Sequence, residues 1–161
     1  MAKKVKVKKT LVEQILTKAG VDHQGIQINA LEGELPSDYD RNHIFKTLAL
    51  LGDKTGPVIG IVPITEHLSE KKLAKISGNK KAAMIPQKDL EKTTGYIHGA
   101  NNPVGIRQKH NYPIFIDETA LELEKLIVSA GEVGHSIIIA PKDLANFVKA
   151  SFVDILEESN S

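Results

Sequence analysis

The sequence predicts a single α+β domain in which a mixed, barrel-like β-sheet is surrounded by helices. Three observations carry this expectation. Short apolar, partly β-branched runs outnumber the amphipathic helical stretches. The helices do not alternate strictly with the strands, which argues against a doubly wound parallel sheet. The chain has 161 residues, 41% of them hydrophobic, enough for one buried core and too few for two.

Residues 1–9 read as a flexible basic arm with Lys3, Lys4, Lys6, Lys8 and Lys9, residues 10–156 as the domain, and residues 157–161 as a tail. Thr10 is placed to cap a helix whose stripe is Leu11, Val12, Ile15, Leu16 and Ala19, with Gly20 as its stop. Gln24 to Leu31 reads as a strand, and Glu32 to Asn42 as a loop rich in turn residues, Pro36, Ser37 and Asp38 among them. Ile44 to Leu51 and Pro57 to Ile64 are apolar runs separated by Gly52-Asp53-Lys54-Thr55-Gly56, a hairpin signature. Ser69, Leu73 and Ile76 predict a short helix that ends at Gly78. A strand follows near Ala82 to Ile85. Pro86 then opens a helical turn through Leu90, and a glycine-rich loop runs from Gly95 to Gly105. Pro113 to Asp117 and Leu126 to Ser129 read as strands, Ala130 to Gly134 as a turn, Ser136 to Ala140 as a strand, and Pro141 as the start of a helix with Leu144, Phe147 and Val148.

Composition narrows the chemistry. The chain has no cysteine, which removes disulfides, thiolate nucleophiles and sulfur-ligated zinc. Its six histidines are too far apart in sequence to form a local metal-ligand pair, so no metal is expected. No stretch approaches the roughly 20 apolar residues of a membrane span, and nothing resembles a signal peptide; a soluble, cytoplasmic protein is expected. The net charge of +1 supplies no global field to attract nucleic acid. Any RNA contact must therefore be local, and two basic clusters qualify: Lys71, Lys72, Lys75, Lys80 and Lys81, and then Arg107, Lys109 and His110. Each also reads as a solvated face. No Walker A spacing, dinucleotide fingerprint or G-x-S-x-G elbow is present.

Lys46 is the most informative residue, because it is the only charge between Ile44 and Leu51. In a strand it shares a face with Ile44, Leu48 and Leu50, while Phe45, Thr47, Ala49 and Leu51 face the other way. Both faces are apolar, so its ammonium must reach water at a sheet edge, pair with an anion, or anchor a phosphate or ester carbonyl in a cleft. The segment Gly95-Tyr96-Ile97-His98-Gly99-Ala100-Asn101-Asn102-Pro103-Val104-Gly105 is the second constellation. Its glycines and proline either make plain turns or hold an irregular backbone whose N–H groups converge on one oxygen, as acyl transfer requires. Asp117 ends a strand or positions a substrate amine, Asp143 complements a helix dipole, and Ser129 with Gly131 either lines a pocket or forms a turn.

Phe45-Lys46-Thr47-Leu48, Lys71-Lys72-Leu73-Ala74-Lys75 with Lys80-Lys81, Thr94-Gly95-Tyr96 with Gly99 and Pro103-Val104-Gly105, Ile116-Asp117, Val128-Ser129-Ala130-Gly131 and Ala140-Pro141-Lys142-Asp143-Leu144 together resemble the YbaK/EbsC family. That family is related to the editing domain of bacterial prolyl-tRNA synthetases. The likeness runs in order from about Ile44 to Ile155. It departs from the family where adjacent glycines are replaced by Gly99-Ala100, in a longer segment after Gly105, and at Ile28, where an aromatic residue is expected. The resemblance implies deacylation of mischarged tRNA, Cys-tRNA(Pro) or a similar small amino acid ester, with no metal or organic cofactor. Lys46 and the amides near Gly99, Ala100 and Asn101 are expected to act on the ester. Thr47, Tyr96, Gly105, Asp117, Ser129 and Gly131 are expected around the substrate, and Lys71, Lys72, Lys80, Lys81, Arg107 and Lys109 along the tRNA. The expected partners are the acceptor end of aminoacyl-tRNA and, as a candidate, prolyl-tRNA synthetase. The competing readings are a non-catalytic module that binds the acceptor end or a synthetase, and a hydrolase of some small ester.

Overall fold

The computed structural model describes residues 9–27, 35 and 38–158. The basic arm up to Lys8, Ile28 and most of the loop after it, and the last three residues lie outside this set. Helix α1 (Leu11–Lys18) begins with a reciprocal cap: the Thr10 amide donates to Glu13 Oε2 (2.8 Å), and the Glu13 amide donates to the Thr10 hydroxyl (3.2 Å). Its inner face buries Val12 and Leu16. Strand β1 (Gln24–Ile26) is followed by a 3-10 turn at Arg41–His43 and then by the hairpin of β2 (Phe45–Gly52) and β3 (Gly56–Pro63). The hairpin is in register from Phe45 opposite Pro63 to Gly52 opposite Gly56. Helix α2 (Glu70–Ser77) is capped by the Ser69 hydroxyl and stopped by Gly78, whose φ of 83° is left-handed, a conformation glycine adopts without steric cost.

Strand β4 (Ala82–Met84), helices α3 (Gln87–Thr94) and α4 (Pro103–Lys109), and strands β5 (Ile114–Asp117), β6 (Leu126–Glu132) and β7 (His135–Ile139) follow, then helix α5 (Pro141–Val148) and strand β8 (Ser151–Val153). The strands form two sheets, ordered β1-β7-β6 and β4-β2-β3-β5-β8. The larger is mixed, because β3 with β5 and β5 with β8 run parallel while the β2 pairings are antiparallel. A parallel bridge between Ile44 and Ile127 links the sheets. Alternation along β2 divides its side chains. Phe45 and Ala49 enter the main core with Ile59, Ile116, Val128 and Leu144, whereas Leu48 and Leu50 pack into a second cluster with Leu73 and Ala74 of α2. Among the described residues no helix is long and apolar enough to cross a membrane.

Five features differ from the sequence expectations. The sheet is divided in two and stitched by one bridge. The loop expected to reach Gly105 ends at Asn102, whose side chain accepts the Gly105 amide (2.6 Å) and, with Pro103 in the first turn, starts α4; this is an ordinary cap-and-proline signal that the neighbouring glycines obscured. β6 runs on to Glu132 and shortens the turn expected at residues 130–134 to Val133-Gly134; a bulge lies between Ser129 and Glu132, with Gly131 at φ 92°, and accommodates the extra residue. β8 had no sequence signal. Glu157 and Glu158, expected in a tail, are tied down by the Glu157 amide donating to His67 (2.9 Å) and by Glu158 pairing with Lys72 (2.8 Å).

Candidate active site

The two sheets, α3 and the glycine segment enclose a cleft of about 320 Å³. Its walls are mainly apolar, supplied by Ile44, Phe45, Leu48, Ile64, Ile85 and Leu90, with Lys46, Thr47, Asn101, Ser129 and Ser136 as polar contributors. β2 delivers Lys46 and Thr47 side by side. Lys46 is half-buried and, among the described residues, has no hydrogen bond or ion pair. An unpaired ammonium in apolar surroundings is held in readiness for an anionic or carbonyl oxygen.

The opposite side is built by the glycine segment, which several interactions hold in place. Gly95 ends α3 with φ 88°, and the Tyr96 amide donates to the Thr94 hydroxyl (3.1 Å). The Tyr96 ring lies against Gly105, where a side chain would collide with it, and near Gly131 on its other side. Lys109 Nζ sits 4.5 Å from the ring centroid, a cation–π contact. Asn102 donates to the Ala100 carbonyl (3.0 Å) while capping α4. Gly99 itself is left-handed, at φ 91°. Asn101 is buried, reaches the Thr47 carbonyl (3.4 Å) through Nδ2, and leaves its Oδ1 without a partner among the described residues, as does the Thr47 hydroxyl.

The expected site residues therefore separate into groups. Lys46, Thr47, Gly99, Asn101 and Ser129 line one cleft. Tyr96, Gly105 and Gly131 do not; the Tyr96 ring packs against the other two and ties the start of the glycine segment to its end and to β6. Ala100 is buried, and its amide already donates to the Ile97 carbonyl (3.0 Å), so it is unavailable to a substrate oxygen. Ala100 also replaces a family glycine without strain, because Lys149 is the only non-glycine at positive φ among the described residues. The amides of Gly99 and Asn101 donate to no other described residue.

Asp117 corrects a second expectation. It is 1% exposed, and it accepts from the Thr119 amide (3.0 Å) and hydroxyl (2.6 Å) and from the Ile155 amide (3.1 Å). This carboxylate ties β5 to the segment after β8 and is not in the cleft. Arg107 is also committed to the scaffold: it donates to the Val148 carbonyl (2.7 Å), Asn111 Oδ1 (2.9 Å) and the Tyr112 carbonyl (3.1 Å), and burial lowers its pKa from the ordinary value. Lys72 is held by Asp154 and Glu158. Lys71, Lys75, Lys80 and Lys81 remain exposed on and after α2, and Lys109 on α4. The cleft also contains His98, His135, Gln87 and Ser136, which the sequence did not single out. The β6–β7 pairing that sets Ser129 opposite Ser136, the start of α3 at Gln87 and the fold of the glycine segment bring them there.

Among the described residues, the cleft brings together a lysine without a partner and two backbone amides without acceptors in a mostly apolar hollow, a combination suited to holding an ester and the negative charge that develops on its carbonyl oxygen. The family model of the aminoacyl-tRNA editing domain matches residues 36–147. The protein EbsC of Enterococcus faecalis (strain ATCC 700802 / V583), which carries the name of a Cys-tRNA(Pro)/Cys-tRNA(Cys) deacylase, is 36% identical over 162 residues, covering 96% of this chain and 98% of its own. Among solved structures, one named as a trans-editing enzyme for prolyl tRNA synthetase superposes with a TM-score of 0.74 at 20% identity, covering 91% of this chain and 95% of that one. A scaffold from work on computational epitope grafting gives 0.79 at 23%, covering 92% and 96%. With a domain match across most of its length and a relative alike from end to end, this chain belongs to the aminoacyl-tRNA editing domain family.

Proposed function

We propose that this protein is a free-standing aminoacyl-tRNA deacylase that cleaves the ester between a misattached small amino acid and the terminal adenosine of tRNA. Editing answers a physical limit: a synthetase pocket cannot strongly reject a smaller or isosteric amino acid, so a second site must remove the product. The observation that carries the reading is the uncommitted Lys46 ammonium in the same cleft as Gly99 and Asn101. Lys46 holds the ribose or terminal phosphate. The Gly99 and Asn101 amides polarise the carbonyl and take up the oxyanion when a nucleophile adds to it. Collapse of that intermediate breaks the bond to the ribose oxygen, which takes the proton given up by the nucleophile and leaves as the alcohol; water attack yields the free amino acid, and attack by a cysteinyl thiol yields its cyclic thiolactone.

The nucleophile is a bound water or, for a cysteinyl ester, the substrate's own thiol. Cysteine on tRNA for proline is the first substrate to test, because the relative's name specifies it and the cleft is small. Prolyl-tRNA synthetase is the candidate partner, supplying the tRNA selectivity that a chain of net charge +1 has little long-range field to provide.

The test is a deacylation panel of Cys-tRNA(Pro), Ala-tRNA(Pro) and correctly charged Pro-tRNA(Pro), run with and without the synthetase. The wild-type protein releases amino acid from at least one mischarged species and spares the correct one, and Lys46→Ala loses at least 100-fold in rate with its thermal unfolding unchanged. A protein that binds these RNAs but releases nothing is the non-catalytic module instead. Turnover unaffected by Lys46→Ala removes Lys46 from the chemistry.

A further inference from the structure

A second hollow, open and of about 540 Å³, adjoins the cleft. Leu48, Leu68 and Met84 give it apolar surface, and His67, Glu70 and Glu157 give it polar groups. Lys46, Leu48 and Met84 line the cleft as well, so Lys46 stands on the boundary between the two spaces. The acidic groups are positioned by the fold. Glu70 Oε2 accepts the Met84 amide (2.9 Å), which leaves its second oxygen uncommitted, and the Glu157 amide donates to the His67 carbonyl (2.9 Å). Met84 is 45% exposed.

An aminoacyl ester joins two unlike pieces, a small side-chain-bearing acyl group and a nucleoside. If Lys46 holds the junction, the two pieces lie on opposite sides of it. The enclosed apolar cleft fits the acyl group. The open hollow has the chemistry of a nucleobase site: leucine and thioether surface for a flat ring, and carboxylate oxygens for an exocyclic amine. Those same carboxylates repel phosphate, so the hollow does not suit the backbone. Phosphates have their own complement next to it, because Glu70 opens α2 and the exposed Lys71 and Lys75 follow on that helix.

We infer that the open hollow is the subsite for the terminal adenosine of tRNA, with its base on the Leu48, Leu68 and Met84 surface, its N6 amine donating to Glu70 or Glu157, and the preceding nucleotides running toward the lysines of α2. The inference rests on the editing reading above and assigns the nucleoside end of that substrate. It implies that the protein inspects the 3′ base as well as the amino acid.

The experiment uses chemically aminoacylated acceptor-stem RNAs ending in adenosine or in inosine, which has a 6-oxo acceptor in place of the amine. With wild-type protein, inosine lowers kcat/KM about tenfold, the cost of one hydrogen bond to a charged group. Glu70→Gln and Glu157→Gln are then measured singly. An amide can accept from adenine or donate to the inosine oxygen, so at the residue that reads the base the preference collapses toward unity. The preference is a ratio within each variant and is unaffected by a general loss of activity. Equal wild-type rates on the two RNAs, or a preference that survives in both variants, overturns the inference and leaves editing intact. Deacylation of neither RNA, nor of the full tRNA, overturns the editing reading and the subsite with it.

Discussion

Gly105→Ala is the substitution whose effect can be worked most fully from the packing behind the site. Gly105 lies in the first turn of α4, and its amide is held by Asn102 Oδ1 at 2.6 Å. A methyl group there would stand 2.6 Å from Tyr96 Cε2 and closer still to the ring's Cζ and hydroxyl. The ring has little room to retreat: Gly131 backs it on one side, Lys109 Nζ lies over it at 4.5 Å, and its own amide is tied to Thr94. Overpacking of this kind costs about 1–3 kcal/mol, while replacing a helical glycine by alanine returns at most about 1 kcal/mol. The net expectation is a loss of about 1–2 kcal/mol, or a fall of about 5 °C in Tm for a chain of this size.

The decisive measurement is the same substitution made in a Tyr96→Ala background. There the collision is absent and only the helix preference remains, so Gly105→Ala becomes neutral or stabilising by up to about 1 kcal/mol. Urea denaturation of the four proteins gives both values. Deacylation by the single variant should drop about 10- to 100-fold, because the ring positions the segment that holds Gly99 and small misplacements at a reacting centre are costly. A destabilisation of equal size in both backgrounds would refute the close approach of Tyr96 and Gly105, and with it the account of how the glycine segment is fixed.

Two further outcomes follow from the buried and surface carboxylates. Asp117→Ala should cost about 3 kcal/mol in urea denaturation, because it strands the Ile155 amide and strips the Thr119 cap, yet leave KM for aminoacyl-tRNA unchanged at a temperature where the variant is folded; a raised KM would return Asp117 to the substrate. Asp53 is exposed, and the Lys81 amide, aided by that of Lys80, holds its carboxyl below the ordinary 3.8. A depressed folded-state pKa contributes stability that is complete above 3.8 and is lost as the pH falls through the lower folded value. Asp53→Asn should therefore flatten the stability–pH curve below 3.8, and parallel curves for the two proteins would show that the loop contact is absent in solution.

The sequence disclosed most where the determinants are local. The hairpin announced itself through two apolar runs and their five-residue punctuation, and α1 and α2 through Thr10, Ser69 and Gly78. Lys46 stood out because both faces of β2 are apolar, so no neighbour in the chain could neutralise it. The rest depended on partners that only the fold brings into contact. Arg107, one of two arginines, reads as an RNA contact, yet two of its acceptors are the Val148 and Tyr112 carbonyls. Asp117 reads as a substrate ligand, yet two of its donors are backbone amides. Gly105 reads as a loop glycine, yet it is helical and small because a tyrosine nine residues earlier rests against it.

For Arg107 and Asp117 the chain meets the demand of a charged group largely with its own backbone, and a sequence lists side chains alone. Lys46 is the counterexample: its own backbone is paired with Val62 of β3, while β4 pairs only with Leu50, Leu51 and Gly52 and does not reach it. A cation on a paired strand has little of its own backbone left to satisfy it. Its partner must come from outside the strand, and no described side chain supplies one; in the function proposed above that partner is a substrate oxygen.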